Sequence, residues 1–112
     1  MILVDSIVEY PADMTTAKGL PGKRWCHLIS SDQETAAGEV ELRGFGRKIG
    51  LSSSWIQMPG FPRRVHYDLT PSVRAKALAA GAIPVDLREF WSARQAGPEF
   101  VEAYLAAKRS GR

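Results

Sequence analysis

This 112-residue chain predicts a small α/β fold, a mostly parallel sheet of three or four strands packed with helices. Three observations carry that expectation. Short apolar runs (Ile2-Leu3-Val4 and Ala82-Ile83-Pro84-Val85) are interleaved with stretches whose apolar residues recur at spacings of three and four, the order of an alternating strand–helix layer. Arg64 to Leu69 alternates polar and apolar at every position, the period of a half-buried strand. The composition, 45% hydrophobic and 24% charged, is ordinary for a globular chain, and this length suits one domain.

The elements follow in order. Ile2-Leu3-Val4 reads as a buried strand closed by Asp5. Residues 6–23, with Pro11, Gly19, Pro21 and Gly22, read as a long loop. Trp25 to Ile29 reads as a strand or a short helical turn; as a strand it puts Trp25, His27 and Ile29 on one face. Ser31 or Asp32 offers a helix N-cap, with Glu34 in the first turn. That helix is expected to run to about Ile49 on a stripe of Leu42, Phe45 and Ile49. Gly38, Gly44 and Gly46 weaken it by roughly 1 kcal/mol each relative to alanine. Gly50 is a natural stop.

Trp55-Ile56-Gln57 reads as a brief extended segment, and Pro59, Gly60 and Pro62 as a turn. After the alternating strand, Thr70-Pro71 supplies an N-cap and a first-turn proline for a helix ending at Ala80-Gly81. Ala82 to Val85 is a further strand, and Pro84, which has no N–H to donate, assigns it to an edge or a bulge. Asp86 and Glu89 have capping-box spacing for the next helix. Gly97-Pro98 breaks it, and a last helix pairs Phe100 with Tyr104 and Val101 with Leu105. Residues 1–86 are expected to form the core of the single domain 1–112, and 87–112 a C-terminal helical extension.

Charge and cysteine content narrow the setting. The net charge is +3, with basic pairs at Lys23-Arg24, Arg47-Lys48, Arg63-Arg64 and Lys108-Arg109; such an excess favours phosphate-bearing or acidic partners. Cys26 is the single cysteine, so no intrachain disulfide can form; it reads as a buried structural thiol in a reducing compartment. No apolar run approaches the length of a membrane span, and Met1 to Val4 lacks the basic lead of a signal peptide. A cytoplasmic location without membrane attachment is the expectation.

Familiar motifs are absent or misspaced. Gly44-Phe45-Gly46-Arg47-Lys48-Ile49-Gly50 has GxGxxxG spacing and lies inside a helix rather than after a strand, so it is no dinucleotide fingerprint. Gly19-Leu20-Pro21-Gly22-Lys23 lacks P-loop spacing, and there is no nucleophile elbow, HExxH or cysteine pair. What remains is a polar set: Asp5, His27, Asp32, His66 and Asp68. Two imidazoles with carboxylates could ligate Zn, Mn or Fe. A His–Asp pair could also act as a general base, or be an ordinary solvated strand face. Asp32 has its own role as a helix cap. Trp25, Trp55 and Trp91 read as core, although Trp55, beside Met58, Phe61, Arg63 and Arg64, could instead stack on a ligand or partner.

The pieces ILVD (2–5), RWCHLISSD (24–32), LRGFGRKIGL (42–51), SWIQ (54–57), HYDLT (66–70) and AAGAIPV (79–85) together resemble domain-of-unknown-function family 4031. These are small bacterial and phage proteins with W-x-H-L and H-Y-D motifs. The resemblance covers about residues 1–86. It matches the family's polar positions to Asp5, His27, Asp32, His66 and Asp68, and its aromatics to Trp25 and Tyr67. The chain departs at Cys26, where the family more often has Ser, and at Gly44 and Gly46, where Ala is more usual. The family implies no activity; it implies a recurrent polar site and a phage or prophage setting.

The expected function is a site for a phosphate- or nucleotide-containing ligand, with a divalent metal as candidate cofactor. His27 and His66 would be ligands or bases, Asp5 and Asp68 ligands or orienters, and Arg63 or Arg64 the phosphate contact, with Trp55 as a stacking surface. Two other classes stand beside it. One is a non-enzymatic phage accessory protein that inhibits a host or defence protein, in the manner of an anti-CRISPR, through Trp55, Phe61 and the last helix. The other is a nucleic-acid-binding module using the basic pairs.

Overall fold

The computed structural model describes residues 1–9, 24–60 and 64–111. Among these residues five strands and four helices occur, in the order β1 (Ile2–Val4), β2 (Val8–Glu9), β3 (Arg24–Ser30), α1 (Ala36–Lys48), β4 (Tyr67–Leu69), α2 (Pro71–Ala79), β5 (Ile83–Pro84), α3 (Leu87–Ala96) and α4 (Pro98–Arg109). A 3₁₀ turn, Ser53–Trp55, lies between α1 and β4. The α/β class is as expected. No helix among the described residues is long and apolar enough to cross a membrane.

The sheet is mixed rather than mostly parallel. β3 pairs antiparallel with β1, β2 and β4; only β1 and β5 are parallel. The difference arises after α1. A parallel neighbour would begin where the helix ends, but here a further segment intervenes, and its Gln57 bridges His66 antiparallel just before β4. Apolar runs report burial, not strand direction, so the sequence pattern does not register this return. β4–α2–β5 is a true crossover, because β4 and β5 run the same way through the intervening strands.

Alternation along the strands divides the protein into layers. On one face Ile2, Val4, Cys26, Leu28, Tyr67 and Leu69 pack with Leu42, Leu51, Val65, Ala77 and Ala82 under α1 and α2. On the other, Leu3, Ile29, Ile83 and Val85 pack against Phe90 and Leu105 of α3 and α4. Fully burying such side chains contributes on the order of 2 kcal/mol each. α3 and α4 cover β1, β5 and the Ile29 end of β3 on their face. The β3–β4 side of that face carries the polar residues.

Capping refines the expected boundaries. Thr35, not Ser31 or Asp32, caps α1, accepting from the Gly38 amide at 3.1 Å. Asp32 sits one turn earlier, where its carboxylate accepts from the Thr35 hydroxyl at 2.6 Å. Thr70 and Asp86 cap α2 and α3 as expected. Pro84 is exposed on the edge strand β5. β2 falls in the segment expected to be loop, since two residues are too few to show a period. The expected extended run at Trp55 is instead the 3₁₀ turn, with only Gln57 bridging. Phe100, assigned to the inner stripe of α4, is 53% exposed.

Two helix glycines serve close approach rather than merely weakening α1. A Cβ on Gly38 would stand 1.7 Å from the Asp32 carbonyl oxygen, and one on Gly46 would meet the Tyr67 ring at 2.9 Å. Gly44 faces open space apart from an Arg47 nitrogen at 3.9 Å. Gly38→Ala is therefore expected to destabilise the protein by more than about 2 kcal/mol through displaced backbone. Gly44→Ala should stabilise it by up to about 1 kcal/mol. Urea unfolding of the two variants beside wild type checks the opposite signs.

Candidate metal centre

The site grows out of strand register. His27 stands directly opposite Asp68 in the β3–β4 ladder, and directly opposed residues of an antiparallel pair share a face. His66, two residues before Asp68, shares it by alternation. Gln57 bridges His66 and joins the same face. Asp5 follows Val4, the partner of Leu28, so it arrives opposite His27. The core side is equally consistent: Val65, Tyr67 and Leu69 are at most 1% exposed.

These residues meet in space. The His27 and His66 rings stand edge to face with centroids 5.2 Å apart. His27 Nε2 is 3.9 Å from Asp68 Oδ1, and His66 Nε2 is 3.5 Å from the same oxygen. One ligand atom from each of the three residues lies within 4.8 Å of the others. Ligands about 2.0–2.1 Å from a tetrahedral zinc stand roughly 3.3 Å apart. The three atoms thus need only a small inward movement to share an ion. The side chains remain open to solvent, His27 at 31%, His66 at 19% and Asp68 at 20%.

The other polar atom of each candidate ligand is already held. His27 Nδ1 lies 2.8 Å from Asp5 Oδ2, so its N–H points at the carboxylate and leaves Nε2 bare in the neutral ring. His66 Nδ1 donates to the Arg64 carbonyl at 2.9 Å, which leaves its Nε2 bare as well. Asp68 Oδ2 accepts from Gln57 Nε2 at 3.0 Å, freeing Oδ1. Outer partners of this kind fix tautomer and orientation around bound metals. Asp5 is anchored in turn: its second oxygen accepts the His27 main-chain N–H, and its carbonyl accepts from Arg74 Nε at 2.9 Å.

Of the residues expected from sequence, His27, His66 and Asp68 form the cluster and Asp5 orients it. Asp32 belongs to the start of α1. Arg64 is exposed, with its guanidinium 4.6 Å over the Trp91 ring. Trp55 is half-buried and packs against the α1/α2 core. Arg63 and Phe61 lie outside the described residues. The sequence puts Gln57 in a short extended segment and in the SWIQ piece but gives no sign of its contact with Asp68, which depends on one isolated bridge to His66. Cys26 is buried, and burial pushes its thiol up to about 12, with Asp5 adding to the effect; it is a core residue, not a nucleophile.

The family model described as "Protein of unknown function (DUF4031)" matches residues 11–96, and the chain belongs to that family. The matched span includes His27, Gln57, His66 and Asp68, begins after Asp5 and runs through α3. No curated protein and no solved structure matches the chain.

The hydrogen bond to Asp5 raises the pKa of His27 above its ordinary value; burial opposes this, and the charges of Asp5 and Asp68 reinforce it. A pKa raised on folding contributes stability that is complete below about pH 6.5 and is lost as pH climbs through the folded-state value. In metal-free protein, Asp5→Asn should lower the His27 midpoint seen by imidazole NMR titration. The stability gap between wild type and Asp5→Asn should be larger at pH 6 than at pH 9. A second outcome concerns Cys26: a thiol reagent at pH 8 should leave it unmodified in the folded protein and modify it in denaturant.

Proposed function

We propose that this protein binds a divalent first-row metal through His27 Nε2, His66 Nε2 and Asp68 Oδ1, and uses it to engage a phosphate- or nucleotide-containing ligand. The observation that carries this reading is the convergence of three bare ligand atoms within 4.8 Å, each backed by a partner on its other atom. A solvated strand face would not need that backing. Two imidazoles and one carboxylate suit Zn(II), Mn(II) or Fe(II). Three protein ligands leave positions for water or a ligand oxygen, the arrangement of catalytic rather than structural sites. A metal there would polarise a phosphoryl oxygen. The net charge of +3 favours an anionic ligand.

Calorimetry with Zn(II) and Mn(II) on the chelator-stripped protein tests the reading. Wild type is expected to bind one ion per chain. His66→Ala and Asp68→Asn should abolish this while leaving the circular dichroism spectrum unchanged, and Gln57→Ala should weaken it roughly 10- to 100-fold. Affinity should rise as pH climbs through the raised His27 pKa, because the metal needs the neutral ring. Equal binding by wild type and His66→Ala would overturn the assignment.

A further inference from the structure

We infer that a cleft beside the histidines, between the start of β4 and α3, is the anchor for a terminal phosphate group on a small ligand. This deepens, and rests on, the proposed metal-assisted phosphate site. The cleft, about 270 Å³, is lined by Gln33, Glu34, Arg64, Trp91, Arg94 and Gln95. That volume lies just under the usual range for drug-sized ligands, so it suits one end of a small molecule rather than a polymer.

Arg64 links the cleft to the cluster. Its carbonyl holds His66 Nδ1 at 2.9 Å, and strand alternation puts its side chain on the face of His66 and Asp68. Residues two apart on a strand are separated by roughly 6.5 Å. A phosphate at the Arg64 guanidinium would thus leave the rest of a small ligand within reach of the cluster. The guanidinium lies 4.6 Å over the Trp91 ring and has no carboxylate partner among the described residues. Stacking fixes the plane of a guanidinium while leaving its N–H fork free, which is the geometry that grips two phosphate oxygens.

The remaining lining fits an anion. Arg94 Nη2 is 3.4 Å from Glu34 Oε2, but Glu34 is exposed and makes no other ion pair among the described residues. Arg64 and Arg94 against Glu34 leave the cleft with net positive charge. Gln95 adds a carboxamide at the rim; Gln33 is buried and donates to the Val65 carbonyl at 3.1 Å, holding the floor of the cleft to the strand that carries Arg64. A carboxylic acid ligand would use one fork, whereas a phosphate monoester, with two charges at neutral pH, matches two guanidiniums.

The test uses full-length protein kept metal-free with chelator, so that the cleft is read without the ion. Inorganic phosphate and adenosine monophosphate are titrated while the Trp91 indole N–H and Arg64 Nε–H resonances are followed. Saturable shifts at both are expected, with affinity at least tenfold weaker in Arg64→Gln and in Arg94→Gln; two variants guard against a folding defect in either. Lys76→Gln, on the opposite side of the sheet, should bind as wild type. A response that does not saturate, or is unchanged in both arginine variants, would overturn the inference. So would tighter binding of an oligonucleotide lacking a terminal phosphate than of adenosine monophosphate, which would assign the cleft to nucleic acid. Zinc calorimetry on wild type separates the two readings. Zinc binding by wild type with no phosphate response sinks only the cleft; a phosphate response that is lost in Arg64→Gln, in a wild type that binds no zinc, sinks only the metal site.

Discussion

The pairing of β3 with β4 is the constraint on which both the core and the cluster depend. Setting His27 opposite Asp68 also sets Cys26 opposite Leu69 and Leu28 opposite Tyr67. Side chains alternate with a period of two, so a slip of one residue would exchange the faces. Val65, Tyr67 and Leu69 would enter solvent and His66 and Asp68 the α1/α2 core. The hydrophobic term alone forbids this by several kcal/mol. The polar cluster thus inherits its precision from apolar burial on the reverse of the same strands.

That inheritance explains what was legible. The alternation of Arg64 to Leu69 reveals which residues face away from the core, and capping residues at Thr70-Pro71 and Asp86 place two helices closely. The convergence of His27 with His66 was not legible, because 38 residues intervene between them and the sequence does not encode which strands are neighbours. The sheet's direction was misjudged for the same reason: a helix between strands implies a parallel crossover only if no long return follows it. Gln57 was placed in an extended segment, but its hold on Asp68 had no signature, because it rests on a single bridge to His66. Gly38 and Gly46 looked like defects in a helix; contact with Asp32 and Tyr67 from elsewhere in the chain makes them spacers.

The division of one sheet face is the second organising feature. Where α3 and α4 lie over β1 and β5, the face is apolar and closed. Where they stop, it is polar and open, and Arg64 reaches back from the open half to stack on Trp91 of the closing helix. The family match passes through both the cluster and α3, so the helix that forms the wall belongs to the shared part of the chain.

Asp5 joins the cluster to the backbone in a way that reaches further. From Val4 to Val8 the chain takes one residue more than β3 does from Leu28 to Trp25, a bulge that interrupts the ladder. There the Asp5 carboxylate stands in for a missing main-chain acceptor, taking the His27 amide on one oxygen while the other holds the imidazole. Electron density drawn from the ring is therefore drawn from a rung of the sheet. Protonating the imidazole therefore pulls on the same carboxylate that laces the two strands together, so the charge on the ring is felt along that seam.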